Sequence, residues 1–159
     1  MISPGIGPAG IALVAQPCCA SPLPIRSFEP GHFDAALALW QRTPGVGLSA
    51  SDEQPAIERF LRRNPGLSFV AMDGEQLVGT VLVGHDGRRG LIHHLVVDTG
   101  HRRRGLARAL LDTGLSALRL QGVDRAHLLV FRTNADGLAF WRRVAMERTE
   151  IALFSVETG

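Results

Sequence analysis

The stretch from Leu91 to Phe131 constrains the fold of this chain more than any other. "LIHHLVV" is a strand-like run, Leu106, Leu110, Leu111, Leu115 and Leu118 recur at helical spacing, and "AHLLVF" is a second short apolar run. Gly122 follows the helical stretch as a plausible C-cap. Strand, long helix, strand is a β-α-β crossover, which predicts two parallel strands of one sheet joined by a right-handed connection.

The flanking segments extend that unit. "LPIRSFEPG" predicts a first strand ended by Pro30 and Gly31, and Phe33, Leu37 and Trp40 predict a helix up to Thr43-Pro44. A second helix is expected over "SASDEQPAIERFLRRNPG". There Ser51 and Gln54 resemble a capping box and Ile57, Phe60 and Leu61 form the apolar stripe. "LSFVAM" and "LVGTVLVG" flank Asp73-Gly74, a strong hairpin signal, and "HDGRRG" supplies a turn into the next strand. After the crossover, Asn134 is a candidate N-cap for "ADGLAFWRRVAM", and "RTEIALFSV" predicts a last strand. The order is β-α-α-β-β-β-α-β-α-β. It predicts an α/β (α+β type) fold with a mixed central sheet of six or seven strands, antiparallel first and parallel later.

Residues 23–159 suffice for a single domain, whereas residues 1–22 read as a flexible extension rich in Gly, Pro and Ala with no charged side chain. That extension lacks the basic start of a signal peptide. The adjacent Cys18 and Cys19 offer neither a disulfide framework nor metal-ligand spacing, so the expectation is a reducing cytoplasm and no metal. No stretch is apolar enough to span a membrane. Net charge is only +2, with the surplus concentrated at Arg102, Arg103, Arg104, Arg142 and Arg143. Local clusters on a nearly neutral chain favour one anionic ligand over a long polyanion, which argues against nucleic acid.

"VVDTGHRRRGLARALL" brings three arginines and a glycine to the point where a strand passes into a helix. Free backbone N–H groups and the helix dipole attract phosphate there, arginine adds forked charge-assisted bonds, and Gly105 lets backbone approach the ligand without a Cβ. The spacing Arg102-x-x-Gly105-x-Ala107 is neither a Walker loop nor a dinucleotide fingerprint.

It resembles the R/Q-x-x-G-x-G/A motif of GNAT-superfamily N-acetyltransferases. Asn134 through "FWRRVAM" resembles that family's Asn…F-Y-x-x-x-G-F segment, and the likeness runs from about Leu23 to Val156. The resemblance implies acetyl-CoA as co-substrate, transfer of its acetyl group to an amine by direct attack in a ternary complex, and fourth and fifth strands that splay to admit pantetheine. It implies that Leu95, Val96 and Val97 hold the pantetheine through backbone, with the Leu95 N–H as an oxyanion donor. Arg102, Arg103, Arg104, Gly105, Leu106 and Ala107 would bind the pyrophosphate mostly through amides. Asn134 would face the pantetheine, and Phe140 and Trp141 would flank the thiol end. Dimers are common in the family, and a homodimer stays open here.

Two features complicate the chemistry. Trp141 stands where the family often has a tyrosine that protonates the departing thiolate, and the chain contains no tyrosine. Indole is a donor only, so Trp141 has no acidic proton for that step and the proton must come from elsewhere. The amine needs a general base, for which histidine is the fitting residue. Strand alternation sends His93 and His94 to opposite faces, and His93 holds the position from which some family members present a histidine, so His93 is preferred. Asp52 and Glu53 read as helix-start charges and Asp86 as a turn residue. A catalytically silent acyl-CoA-binding module is the alternative reading.

Overall fold

A computed structural model describes residues 23–156 of the chain, so the expected extension and its two cysteines lie outside the described residues. Strand β1 is Ile25–Ser27, and helices α1 (Phe33–Gln41) and α2 (Gln54–Arg63) follow it. Strands β2 (Phe69–Asp73), β3 (Gln76–His85) and β4 (Gly90–Val97) come next. Helix α3 (Leu106–Leu120), strand β5 (Ala126–Leu128) and helix α4 (Ala135–Val144) complete the order.

These elements form one five-stranded sheet in the order β1-β2-β3-β4-β5. The first three pairings are antiparallel and β4 with β5 is parallel, as the crossover requires. The β2–β3 hairpin turns on Gly74 and Glu75, with Gly74 at φ +59 and Asp73 still in the ladder opposite Gln76. In the next turn Asp86 Oδ1 accepts hydrogen bonds from the N–H groups of Arg88 and Arg89, both at 2.8 Å. Gly122, at φ +78, ends α3 while the Val123 N–H reaches back to the Leu118 carbonyl at 3.1 Å.

The sheet separates two apolar layers. On one face α1 and α2 bury Phe33, Leu39, Trp40 and Ile57 against Val70, Leu82 and Val96. On the other, α3 presents Leu106, Leu110, Leu111 and Leu118 to Ala71, Val81, Val83 and Val97, with Phe140, Trp141 and Val144 of α4 packed alongside. The leucine stripe of α3 thus becomes the face that seals the crossover onto the sheet.

Two expectations are corrected. "RTEIALFSV" forms no strand among the described residues: Ile151, Leu153, Phe154 and Val156 are each at least 61% exposed and belong to no ladder. Among the described residues the sheet therefore has five strands, not six or seven. Alternating apolar residues become a strand only along an edge that can pair with them, and β5 is just 3 residues long. The capping box also lies earlier than Ser51 and Gln54. Ser49 Oγ accepts from the Ser51 N–H at 3.2 Å while Asp52 Oδ2 accepts from the Ser49 N–H at 2.8 Å, and α2 then starts after Glu53.

Candidate active site

The ladder between β4 and β5 runs from Gly90↔Ala126 to Ile92↔Leu128 and then stops, so the two strands part beyond Ile92. The gap opens into a cleft of about 810 Å³. Ile92 to Val97 of β4 form one wall, and 128–131 with the first turns of α4 form the other. The start of α3 lies at one end, and the 43–47 loop crosses over the cleft. Leaving β5 frees one edge of β4 from strand pairing and exposes its backbone polar groups to the cleft.

At its α3 end the cleft meets an uncapped helix. Gly105 is the N-cap at φ +80, carries no side chain to cap the first turn, and has open space where a Cβ would stand. Among the described residues, the first N–H groups of this 15-residue helix receive no side-chain cap from Gly105 and lie at the positive end of the dipole. Arg103 precedes it at φ +62, so two left-handed residues fold the loop tightly enough to turn its amides outward. A phosphate-bearing ligand is what such amides accept.

The arginines divide the work. Arg102 donates from Nε to the Val97 carbonyl at 3.1 Å and lies 4.0 Å from Asp136, tying the end of β4 to the start of α4. Arg103 is exposed on the cleft, whereas Arg104 is exposed but does not line it. Leu95, Val96, Val97, Leu106 and Ala107 all line the cleft, as do Asn134, Phe140 and Trp141. Asn134 Oδ1 accepts from the Gly137 N–H at 2.8 Å, the N-cap expected of it, and Nδ2 donates to the Gly45 carbonyl at 3.3 Å. A Cβ on Gly47 would sit 2.5 Å from the Phe131 ring, so this loop lies directly on the β5 side of the cleft. Phe140 and Trp141 meet edge to face at 5.1 Å.

The two histidines depart from strand alternation. Thr80 pairs with Val96 and Leu82 with His93, so His94 and Leu95 together oppose Val81 in a β-bulge. His94 takes φ +44, and both His93 and His94 line the cleft rather than only one. The His93 ring stands edge-on to Phe60, with centroids 6.0 Å apart. It keeps an exposed surface, yet burial against its neighbours, reinforced by His94, lowers its pKa.

His94 is held on all sides. Its Nε2 lies 2.6 Å from Asp52 Oδ1, its ring stacks on Trp40 at 4.4 Å, and its carbonyl accepts from Thr80 Oγ1 at 2.8 Å. Thr80 in turn accepts from Trp40 Nε1 at 2.9 Å, closing a buried circuit. Burial pushes the Asp52 carboxyl up, but the His94 hydrogen bond and the Ser49 N–H outweigh it and hold its pKa below the usual carboxylate range. Sequence reasoning missed this constellation because the bulge has no local signature. The "SASD" capping pattern, which fixes Asp52 in its turn, was the available clue.

Comparison with known proteins decides the family. Residues 33–146 match the Acetyltransferase (GNAT) family. The chain belongs to the GNAT acetyltransferase family. An acetyltransferase of Pectobacterium atrosepticum is 32% identical over 126 residues, covering 79% of this chain and 89% of that protein. One from Sodalis glossinidius is 30% identical over 129 residues, covering 81% and 90%. The fold also matches that of Ard1 from Thermoplasma volcanium, with a TM-score of 0.65, 24% identity and coverage of 76% and 79%. This GNAT acetyltransferase therefore transfers acetyl groups from an acyl-CoA donor.

Proposed function

We propose that the protein is a cytoplasmic acetyl-CoA-dependent N-acetyltransferase whose acceptor is an amine, attacking the donor directly while both are bound. The observation that carries this reading is the continuity of one cleft: it joins the uncapped start of α3 to the parted edge of β4 and to two histidines. Acetyl-CoA supplies an activated acetyl thioester.

The amides at and after Gly105 would take the pyrophosphate, with Arg103 as reinforcement and Arg102 as a brace between β4 and α4. The free edge of β4 at Leu95, Val96 and Val97 would align the pantetheine. The Leu95 N–H is the proposed donor to the thioester oxygen, where a fixed dipole favours the charge that develops during attack. Positioning supplies much of the remaining rate. Phe140 and Trp141 wall the thiol end. Trp141 has no acidic proton to give, so the thiolate, a tolerable leaving group, is protonated from solvent or from the ammonium of the acceptor.

The test is release of coenzyme A in the presence of diamines, arylalkylamines, aminoglycosides and peptides, set against acetyl-CoA binding by calorimetry. Turnover with at least one amine, lost in Gly105→Val, is the expected result. Binding without turnover on any acceptor would instead support the silent acyl-CoA-binding module.

A further inference from the structure

We propose that His94, oriented by Asp52, is the general base of the acetyl transfer. This inference rests on the amine-acceptor reading above and assigns its proton-accepting atom, in place of the neighbouring His93.

Three observations converge on it. First, Nε2 of His94 is committed to Asp52 at 2.6 Å, which places the Nε2 proton on the carboxylate side and leaves the Nδ1 lone pair free. Among the described residues Nδ1 has no hydrogen-bond partner, and His94 is one of the residues lining the cleft. Second, Asp52 is itself immobilised. Its Oδ2 takes the N–H and hydroxyl of Ser49 at 2.8 and 3.1 Å, so only Oδ1 is left for the histidine. Third, the residue is kept in a left-handed conformation that a histidine rarely adopts, by the Thr80 bond to its carbonyl and the Trp40 stack on its ring. A backbone outlier persists only where its surroundings over-determine it, and such sites concentrate where a side chain must be aimed. His93, by contrast, has an aromatic edge beside it and, among the described residues, no carboxylate in hydrogen-bond contact.

The groups facing His94 are few. The turn before α2 presents Asp52, β4 presents His93, and α1 and β3 present the neutral Trp40 and Thr80. The acceptor arrives as an ammonium and gives one proton to Nδ1. Its freed lone pair forms the C–N bond to the acetyl carbon as the C–S bond breaks and its electron pair leaves on sulfur. The second ammonium proton ends on that sulfur through solvent, and the imidazolium returns the first to solvent. Asp52 acts as a positioning residue: it fixes the tautomer and stabilises the charged ring.

His94→Asn is the informative variant, because asparagine tolerates the left-handed backbone while removing the base. Circular dichroism confirms that it folds, and calorimetry with acetyl-CoA alone should show donor affinity within about twofold of the parent. With the best amine of the panel, kcat should fall by roughly 10²-fold or more with KM for acetyl-CoA little changed, and the acid limb of the kcat/KM profile should disappear. Asp52→Asn should lower kcat at least about tenfold, and Asp52→Glu should recover part of it. Nitrogen-15 spectra of the histidine rings should show His94 as the Nε2–H tautomer, lost in Asp52→Asn. If His94→Asn keeps the acid limb and His93→Gln removes it, the assignment is overturned. An Nδ1–H tautomer for His94 overturns it equally. Absence of turnover with every amine refutes the amine-acceptor reading itself, and the base assignment falls with it.

Discussion

Replacing Gly105 by valine tests whether backbone or side chain grips the phosphates. At φ +80 a residue with a Cβ costs about 1–2 kcal/mol, and a β-branched one sits at the upper end. Nothing in the protein lies within 4 Å of the added atom, so the variant should fold with a modest loss of stability. A β-branched residue resists the positive φ of this N-cap, so the turn that presents the α3 amides would shift instead. Losing two charge-assisted amide contacts at about 1.5 kcal/mol each gives roughly 3 kcal/mol, or over a hundredfold in Kd. Arg103→Ala removes one exposed cation, and exposed ion contacts contribute about 0–1 kcal/mol, so fivefold is the expected ceiling. Isothermal calorimetry with acetyl-CoA measures both. If Arg103→Ala weakens binding as much as Gly105→Val or more, the arginine side chains dominate and the amide cradle is refuted.

Asn134→Ala removes the cap of α4 and its link to Gly45, so thermal melting should drop by about 2–4 °C for a loss near 1 kcal/mol, with weaker acetyl-CoA binding. Leu110→Ala, a fully buried site under α3, should cost about 2–5 kcal/mol in urea unfolding. Acidification should destabilise the protein in two stages. His93 titrates lower in the native state than unfolded, so protons favour the unfolded chain and stability falls as pH drops below about 6.5. Asp52 also titrates lower when folded. Its contribution is complete above the unfolded carboxylate pKa and is lost as pH falls through the folded one. Urea midpoints at about pH 7.5, 5.5 and 2.5 check both: His93→Gln should remove the first decline and Asp52→Asn should shrink the second.

What the sequence disclosed follows from how local each signal is. The crossover, the Asp73-Gly74 hairpin, the Gly122 stop and the Asn134 cap depend on neighbours in the chain and were legible. The last strand was not, because pairing needs a partner edge that no local pattern supplies. The loop from Arg102 to Ala107 was legible as the turn that opens α3, but Arg104 does not line the cleft and Arg102 serves β4 and Asp136. The His94–Asp52 pair was the least legible. It joins residues 42 positions apart, and it depends on a bulge that brings both histidines to the cleft where a regular strand would bring one.

The central claim is that one cleft holds acetyl-CoA by the amides of α3 and the free edge of β4. Backbone amide shifts during an acetyl-CoA titration test it most directly. The account predicts that Gly105, Leu106, Ala107 and Arg108 move together with Leu95 to Val97, at one common Kd. Shifts confined to other surfaces, with the α3 amides unmoved at saturation, would contradict it.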